Sequence, residues 1–166
     1  MIAVRPEEAR DFAAVHHLLE AAFGGPVEAD LVDRLRQDGD LVLSLVAVVE
    51  GGIAGHAAFP RLVLKTGEKD AAVCGLAPLA VRPDRQRCGI GAMLVREGLS
   101  RLAERGETLV FVLGDAGYYR RFGFDAEAAA GFASPYAGPH FQVLRLDPSA
   151  PSSGTIRYPR AFDDLE

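Results

Sequence analysis

Cysteine is nearly absent from this chain of 166 residues, Cys74 and Cys88 being the only two. That excludes a disulfide framework and a four-cysteine zinc site. Lysine is equally scarce: Lys65 and Lys69 are the exceptions in a basic set otherwise made of arginine. Positive charge is also outweighed, with 18 basic side chains against 23 acidic ones and a formal charge of −5. A non-specific nucleic-acid binder needs surplus cations to meet phosphates, so that class is set aside and only a local basic patch stays open. Long hydrophobic runs are missing too. The stretch Leu41 to Val49 falls far short of the roughly 20 residues of a membrane span, and Met1-Ile2-Ala3-Val4-Arg5 lacks the basic-then-apolar order of a signal peptide. The expectation is a cytoplasmic protein with neither a nucleic-acid nor a membrane partner.

What is present suits a single folded domain over residues 1–166, with a core of about 2–146 and a tail of 147–166. Hydrophobic residues make up 49% and charged residues 25%, which excludes disorder and fibrous repeats. Ile2 to Arg5 reads as a strand. Phe12, Val15, Leu18, Leu19, Ala22 and Phe23 then recur on one helical face, with Asp11 as N-cap and Gly24-Gly25-Pro26 as the stop. Glu28 to Asp38 reads as a second helix closed by Gly39. Leu41 to Glu50 and Ile53 to Leu64 are β-rich runs joined by a tight turn at Gly51-Gly52. A third run, Ala71 to Val81, completes an antiparallel meander. Pro78 inside it predicts a break in pairing, because proline cannot donate to a ladder.

The pattern then changes to an arginine-rich loop, Arg82 to Cys88, and a helix with Ala92, Val95, Leu99, Leu102 and Ala103 inward, closed by Gly106. Thr108 to Leu113 follows as a strand, Gly114 to Phe122 as a short helix, and Phe141 to Leu146 as a last strand before a Pro/Ser/Gly-rich tail.

The chemistry concentrates between that third run and the long helix. The first amides of a helix have no internal acceptor and carry partial positive charge, so they attract anions. Gly89 and Gly91 leave the backbone open to a phosphate, and Arg82, Arg85 and Arg87 gather cationic charge on an acidic chain. A diphosphate is the natural ligand. The pattern is not GxGxxG, since Met93 and Leu94 follow Ala92, and no GKS or GKT triplet occurs, which disfavours dinucleotide and P-loop sites.

Gln86-Arg87-Cys88-Gly89-Ile90-Gly91 resembles the pyrophosphate loop Q/R-x-x-G-x-G/A of the GNAT superfamily of acetyl-CoA-dependent N-acetyltransferases. Tyr118-Tyr119-Arg120-Arg121-Phe122-Gly123-Phe124 is similar to the family's aromatic-Tyr-x-x-x-Gly-Phe element. With the GTIRYP tail, the chain looks most like the YhbS-like branch. The resemblance implies an α+β fold with a mostly antiparallel central sheet, flanked by helices and splayed after the fourth strand. It implies that pantetheine lies in the opening along Leu79, Ala80 and Val81, bonded through backbone groups of Leu79 and Val81. Gln86, Arg87, Cys88, Gly89, Ile90, Gly91 and Ala92 would meet the pyrophosphate, with Tyr118 beside them. It implies acetyl-CoA as cosubstrate, no metal, a small-molecule amine or protein N-terminus as acceptor, and a homodimer as a common assembly. One departure is clear: Gly114-Asp115-Ala116-Gly117 stands where many relatives carry an Asn ahead of the Tyr element, so that cofactor contact does not carry over.

Transfer from a thioester to an amine needs a neutral nucleophile, a stabilised oxyanion and a proton for the leaving thiolate. A tyrosine hydroxyl can supply that proton, and Tyr119 matches the family's general acid. Its competing reading is a packed aromatic with a surface hydroxyl. Glu28 is the candidate base or amine anchor, against an ordinary first-turn acid. His56 is a candidate for the same proton, against a wall histidine. His16 and His17 show no constellation. Cys88 is a nucleophile candidate by its place at a helix start but has no neighbouring histidine in sequence, and Cys74 reads as a small core residue. The other functional class kept in view is an acyl-CoA sensor with the same site and no turnover.

Overall fold

The computed structural model describes residues 1–165. Its elements in chain order begin with β1 (Ile2–Pro6), α1 (Phe12–Phe23), α2 (Val27–Asp38), β2 (Leu41–Val49) and β3 (Gly52–Lys65). β4 (Asp70–Leu76), β5 (Leu79–Val81), α3 (Ile90–Glu104), β6 (Leu109–Leu113) and α4 (Ala116–Tyr119) follow. Then come α5 (Ala126–Ala129), β7 (Phe132–Ala133), β8 (Phe141–Arg145) and β9 (Gly154–Arg157), followed by a 3-10 turn, Arg160–Asp164.

The sheet is organised around β3. Its first half lies between β2 and β5, and its second half between β9 and β4, all antiparallel. β1 extends the sheet beyond β2. On the other side β6 joins β4 in parallel, as the α3 crossover requires, and β8 closes that edge antiparallel to β6. This is the expected α+β sheet, mostly antiparallel and flanked by helices.

The third run is broken where proline predicts it. β4 ends at Leu76 and β5 begins at Leu79, with Ala77 donating to Ala58 O and Ala58 donating to Pro78 O. The β4–β6 ladder stops at Leu76↔Val112. Beyond it β5 stays with β3 while β6 leaves with β8, and the sheet opens between them.

Several local expectations need correction. The β2–β3 turn is centred on Glu50 (φ 53) and Gly51 (φ 80), with Val49 opposite Gly52. Two consecutive positive φ values are what a two-residue hairpin demands, so Gly52 starts the strand rather than sharing the turn. Asp11 does not cap α1 with its side chain; its carboxylate instead takes two hydrogen bonds from Arg5, at 2.7 and 3.0 Å, which together hold its pKa down at about 2. The stretch 114–122 is not one helix but α4 followed by a 3-10 turn, Arg120–Phe122. The tail contains a strand, β9, which pairs with Val63 to Lys65 and with β7 and buries Ile156.

Both sheet faces are covered. α3 lies on one, where Ile90, Leu94 and Val95 meet Leu45, Ala57 and Phe59. A Cβ on Gly98 would stand 2.2 Å from Phe59 Cζ, so glycine lets the helix sit down on that ring. Gly98 and Leu94 are therefore inward, and Ala103, expected inward, is exposed. α1 and α2 cover the other face, packing Val15, Leu19 and Val32 on Val46, Ala58 and Ala80.

Candidate active site

β5 presents one edge to the opening. Arg82 N donates to Ala54 O and Ala58 N to Pro78 O, so residues 78, 80 and 82 turn their backbone toward β3. By strand alternation Leu79 and Val81 turn theirs outward. Ala80 is thereby excluded from the opening: its backbone faces β3, and its side chain, 3% exposed, packs under α1 and α2. The Val81 carbonyl accepts from Gln86 Nε2 at 3.2 Å, so Gln86 ties the loop back to the strand.

The loop itself twists through left-handed positions at Arg87 (φ 66) and Gly89 (φ 83) before α3 begins at Ile90. Positions of this hand in a turn shape anion-binding concavities from successive amides. No side chain caps α3, which leaves its first amides, from Ile90 to Ala92, facing outward. The Ile90 side chain is buried in the core, so only its backbone is offered. Cys88 is exposed.

Gly91 ties this loop to the aromatic element. A Cβ there would lie 3.1 Å from Tyr118 Oη and 3.7 Å from Val81 Cγ2. Strand edge, helix start and Tyr118 thus converge on one point. Asp115 caps α4 by accepting from Gly117 N at 2.8 Å. Gly114 makes room for the neighbouring ring, since a Cβ there would fall 2.6 Å from Tyr119 Cε2. These two contacts give the Gly114-Asp115 pair a structural role. Tyr119 packs edge-on to Tyr118 and Phe124, and burial, with Tyr118 adding to it, pushes its pKa up to about 12.

Tyr119 and Glu28 line the same cavity, of about 330 Å³, which occupies the opening of the sheet. Leu76, Pro78 and Leu79 form one side and Phe111 and Leu113 another. Glu28 reaches it from the first turn of α2, and Phe23 from the end of α1. Tyr136, Tyr158 and Phe162 close the far wall. None of these last three was legible as a site residue, because they come from loops and from the tail and meet only through β9.

His56 is not part of this cavity. It is fully buried on the α1/α2 face, where Ser44 Oγ donates to Glu7 Oε1 at 3.0 Å and accepts from His56 Nε2 at 2.8 Å. Burial, with nearby Arg36, lowers its pKa to about 3, so the ring is neutral and structural. Nor is His16 without partners, as its Nδ1 lies 2.9 Å from Asp33. Cys74 is a core residue with a polar tie: its Sγ donates to Glu107 Oε1 at 3.2 Å, and burial pushes the thiol well up. Among the described residues no helix is long and apolar enough to cross a membrane.

A sheet splayed beside a glycine-opened helix start, with a half-buried tyrosine over the gap, defines a class of acyl-group transferases. Residues 3–126 match the acetyltransferase (GNAT) domain, and the chain belongs to the GNAT family of N-acetyltransferases. It is similar to the N-acetyltransferase YhbS of Escherichia coli K12, with 38% identity over 96% of this chain and 98% of that protein. YjhQ of the same organism is 42% identical over 133 residues, 78% of this chain and 73% of its own. Among solved structures it is similar to E. coli YhbS in complex with CoA, with TM-score 0.89, 34% identity, and coverage of 99% and 93% of the two chains. A GNAT family acetyltransferase from Brucella melitensis in complex with acetyl-CoA gives TM-score 0.84, 38% identity, and coverage of 98% and 99%.

Proposed function

We propose that the protein transfers the acetyl group of acetyl-CoA directly to a primary amine held in the cavity. The observation that carries this reading is the convergence of Gly91, Val81 and Tyr118 on one point beside the cavity that Tyr119 lines. The residues present fit the cosubstrate: the outward backbone of Leu79 and Val81 suits the pantetheine arm. The amides from Arg87 to Ala92 suit the diphosphate, in space that a side chain at Gly91 would fill. When bound, acetyl-CoA supplies an electrophilic carbonyl and a leaving thiolate.

The chain's own groups do the rest. The Val81 amide points outward and can donate to an oxyanion. Tyr119, held near 12, keeps the proton on its Oη throughout the neutral range, so it acts as a donor and not as a base. A phenol near 12 is a weaker acid than a thiol at roughly 8.5. Yet a thiolate in the same dry cleft has its own proton affinity raised by desolvation. Glu28 faces the amine, as an anchor for its ammonium form or as the acceptor of its proton. Both CoA-bound relatives support the ligand.

The test is acetyl-CoA binding followed by turnover. Acetyl-CoA should raise the melting temperature, as a ligand of the native state does, with NADH and ATP doing much less. Thiol release should depend on an added amine. A thermal shift with no release on any amine would instead make the protein an acyl-CoA sensor.

A further inference from the structure

We propose that the acceptor is a small primary amine with an aromatic or branched apolar body and no anionic group. This rests on the acetyl-transfer reading above and deepens it. The chemistry of the cavity wall carries it. Of its sixteen lining residues one, Glu28, carries a formal charge, and it is negative. No arginine, lysine or histidine lines it among the described residues.

That imbalance discriminates between amines. An ammonium entering the cavity meets a carboxylate. A carboxylate or phosphate on the same molecule would meet no cation, and an unpaired charge taken out of water is strongly disfavoured. Free α-amino acids and phosphorylated amines are therefore poor fits. A polyamine fares no better, because its further charges share a single counter-charge.

The body of the acceptor is selected by the rings. Tyr136 stands edge-on to Tyr158, with centroids 4.8 Å apart, and Tyr158 lies 5.2 Å from Phe162 at a tilt. This wall offers ring faces and edges to an aromatic guest and can add a cation–π attraction to its ammonium. The two tyrosine hydroxyls bring no charge, since burial raises both pKa values above the ordinary one. A volume of about 330 Å³ lies at the small end of ligand sites. Part of it also belongs to the acyl arm, because Leu79 and Tyr119 line the same space. What is left suits a ring on a short chain better than a length of peptide.

The experiment compares matched amines on the full chain. 2-Phenylethylamine, L-phenylalanine, spermidine and a tripeptide amide with an N-terminal phenylalanine are assayed by thiol release with acetyl-CoA. Binding of each amine to the CoA-saturated protein is measured by calorimetry. Phenylethylamine should exceed phenylalanine and spermidine by at least about 10²-fold in kcat/KM, the scale set by leaving a buried polar group unpaired. Glu28→Gln should weaken phenylethylamine binding by about tenfold or more while the acetyl-CoA thermal shift stays as in wild type. Equal or better turnover of phenylalanine, spermidine or the peptide would overturn this inference and leave acetyl transfer standing. Absence of both binding and turnover of phenylethylamine would overturn it as well. Binding without thiol release would uphold the acceptor class and overturn the transfer reading instead.

Discussion

The two ends of the cleft are built in opposite ways. The proposed diphosphate end is one contiguous stretch, β5, the loop from Arg82 and the start of α3, and what it offers is mainly backbone amides beside Gly89 and Gly91. The acceptor end gathers side chains from Phe23 to Leu165, supplied by both first helices, three strands, two loops and the tail. A site made of backbone is indifferent to most side chains and presents one shape to one ligand. A site made of side chains changes with each substitution, so acceptor choice can vary while the CoA end stays fixed. Tyr119 stands where the two meet.

The largest effect should come from that junction. Tyr119→Phe keeps the ring against Phe124 and Tyr118 but removes the donor, so acetyl-CoA binding should persist while kcat falls by about 10² to 10⁴. Tyr118→Phe should lose less than about tenfold. The pH profile checks the same assignment. With its pKa at about 12, Tyr119 holds its proton below that pH, so kcat should show no falling limb near 10. A limb at 10 that disappears in Tyr119→Phe would keep the donor but overturn its raised pKa, whereas equal rates in Tyr119→Phe would remove this hydroxyl from the mechanism.

A second test separates the ends directly. Gly91→Val introduces a Cβ that would lie only 3.1 Å from Tyr118 Oη and 3.7 Å from Val81 Cγ2, with two methyl groups beyond it. It should abolish most of the acetyl-CoA thermal shift, equivalent to about 10²-fold or more in Kd. Gly89→Val should do the same for a different reason, since φ 83 is a backbone hand that a β-branched residue strongly resists. Loss of the acetyl-CoA shift with amine affinity intact would show that the ends are separable. An unchanged shift in both variants would refute the loop assignment.

The same contrast explains what could be read from sequence. The strand, loop and helix start that carry the proposed diphosphate site were legible because they are local: a strand, two glycines and a helix start in one run. Proline at 78 likewise announced the break that opens the sheet. The aromatic wall of the cavity was not legible, because Tyr136, Tyr158 and Phe162 meet only after β9 adds to the end of β3, a long-range pairing hidden in a Pro/Ser/Gly-rich tail. Ala80 was misplaced for a different reason. The resemblance already names Leu79 and Val81 as the pair whose backbone meets pantetheine, and the register with Gly55 to Ala57 turns those two outward and Ala80 toward β3. Gly52 and Ala103 were errors of one residue or one helical face.

Away from the cleft, His56 tests whether the opposite sheet face is purely structural. Burial holds its folded pKa near 3, whereas the unfolded chain takes up that proton near 6.5. A base with a lowered folded pKa stabilises fully above the unfolded value and less as pH falls below it. Wild type should therefore lose about 2 kcal/mol between pH 6.5 and 5 from this group. In His56→Gln, which retains a donor for Ser44, that loss should vanish. Asp11, held near 2 by Arg5, acts only at lower pH, between about 4 and 2, so the two windows separate in urea titrations. Activity with saturating substrates should not change.

The smallest effect concerns the loop arginines, which the sequence treats as one basic patch. The structure divides them. Arg82 is bound twice by Asp84, at 2.7 and 2.9 Å, and Arg85 leans on Glu50 at 3.5 Å, while no acidic partner stands beside Arg87 among the described residues. Paired cations contribute little net field, so the salt dependence of CoA affinity should be shallow, about twofold to fivefold between low and high salt, and should rest mainly on Arg87. Arg87→Gln should flatten it. Asp84→Asn should do the reverse, because it frees Arg82 and adds one net positive charge beside the amides that face the diphosphate. A steep salt slope in wild type, or the same slope in both variants, would mean that the charge of this loop is not arranged as these pairs require.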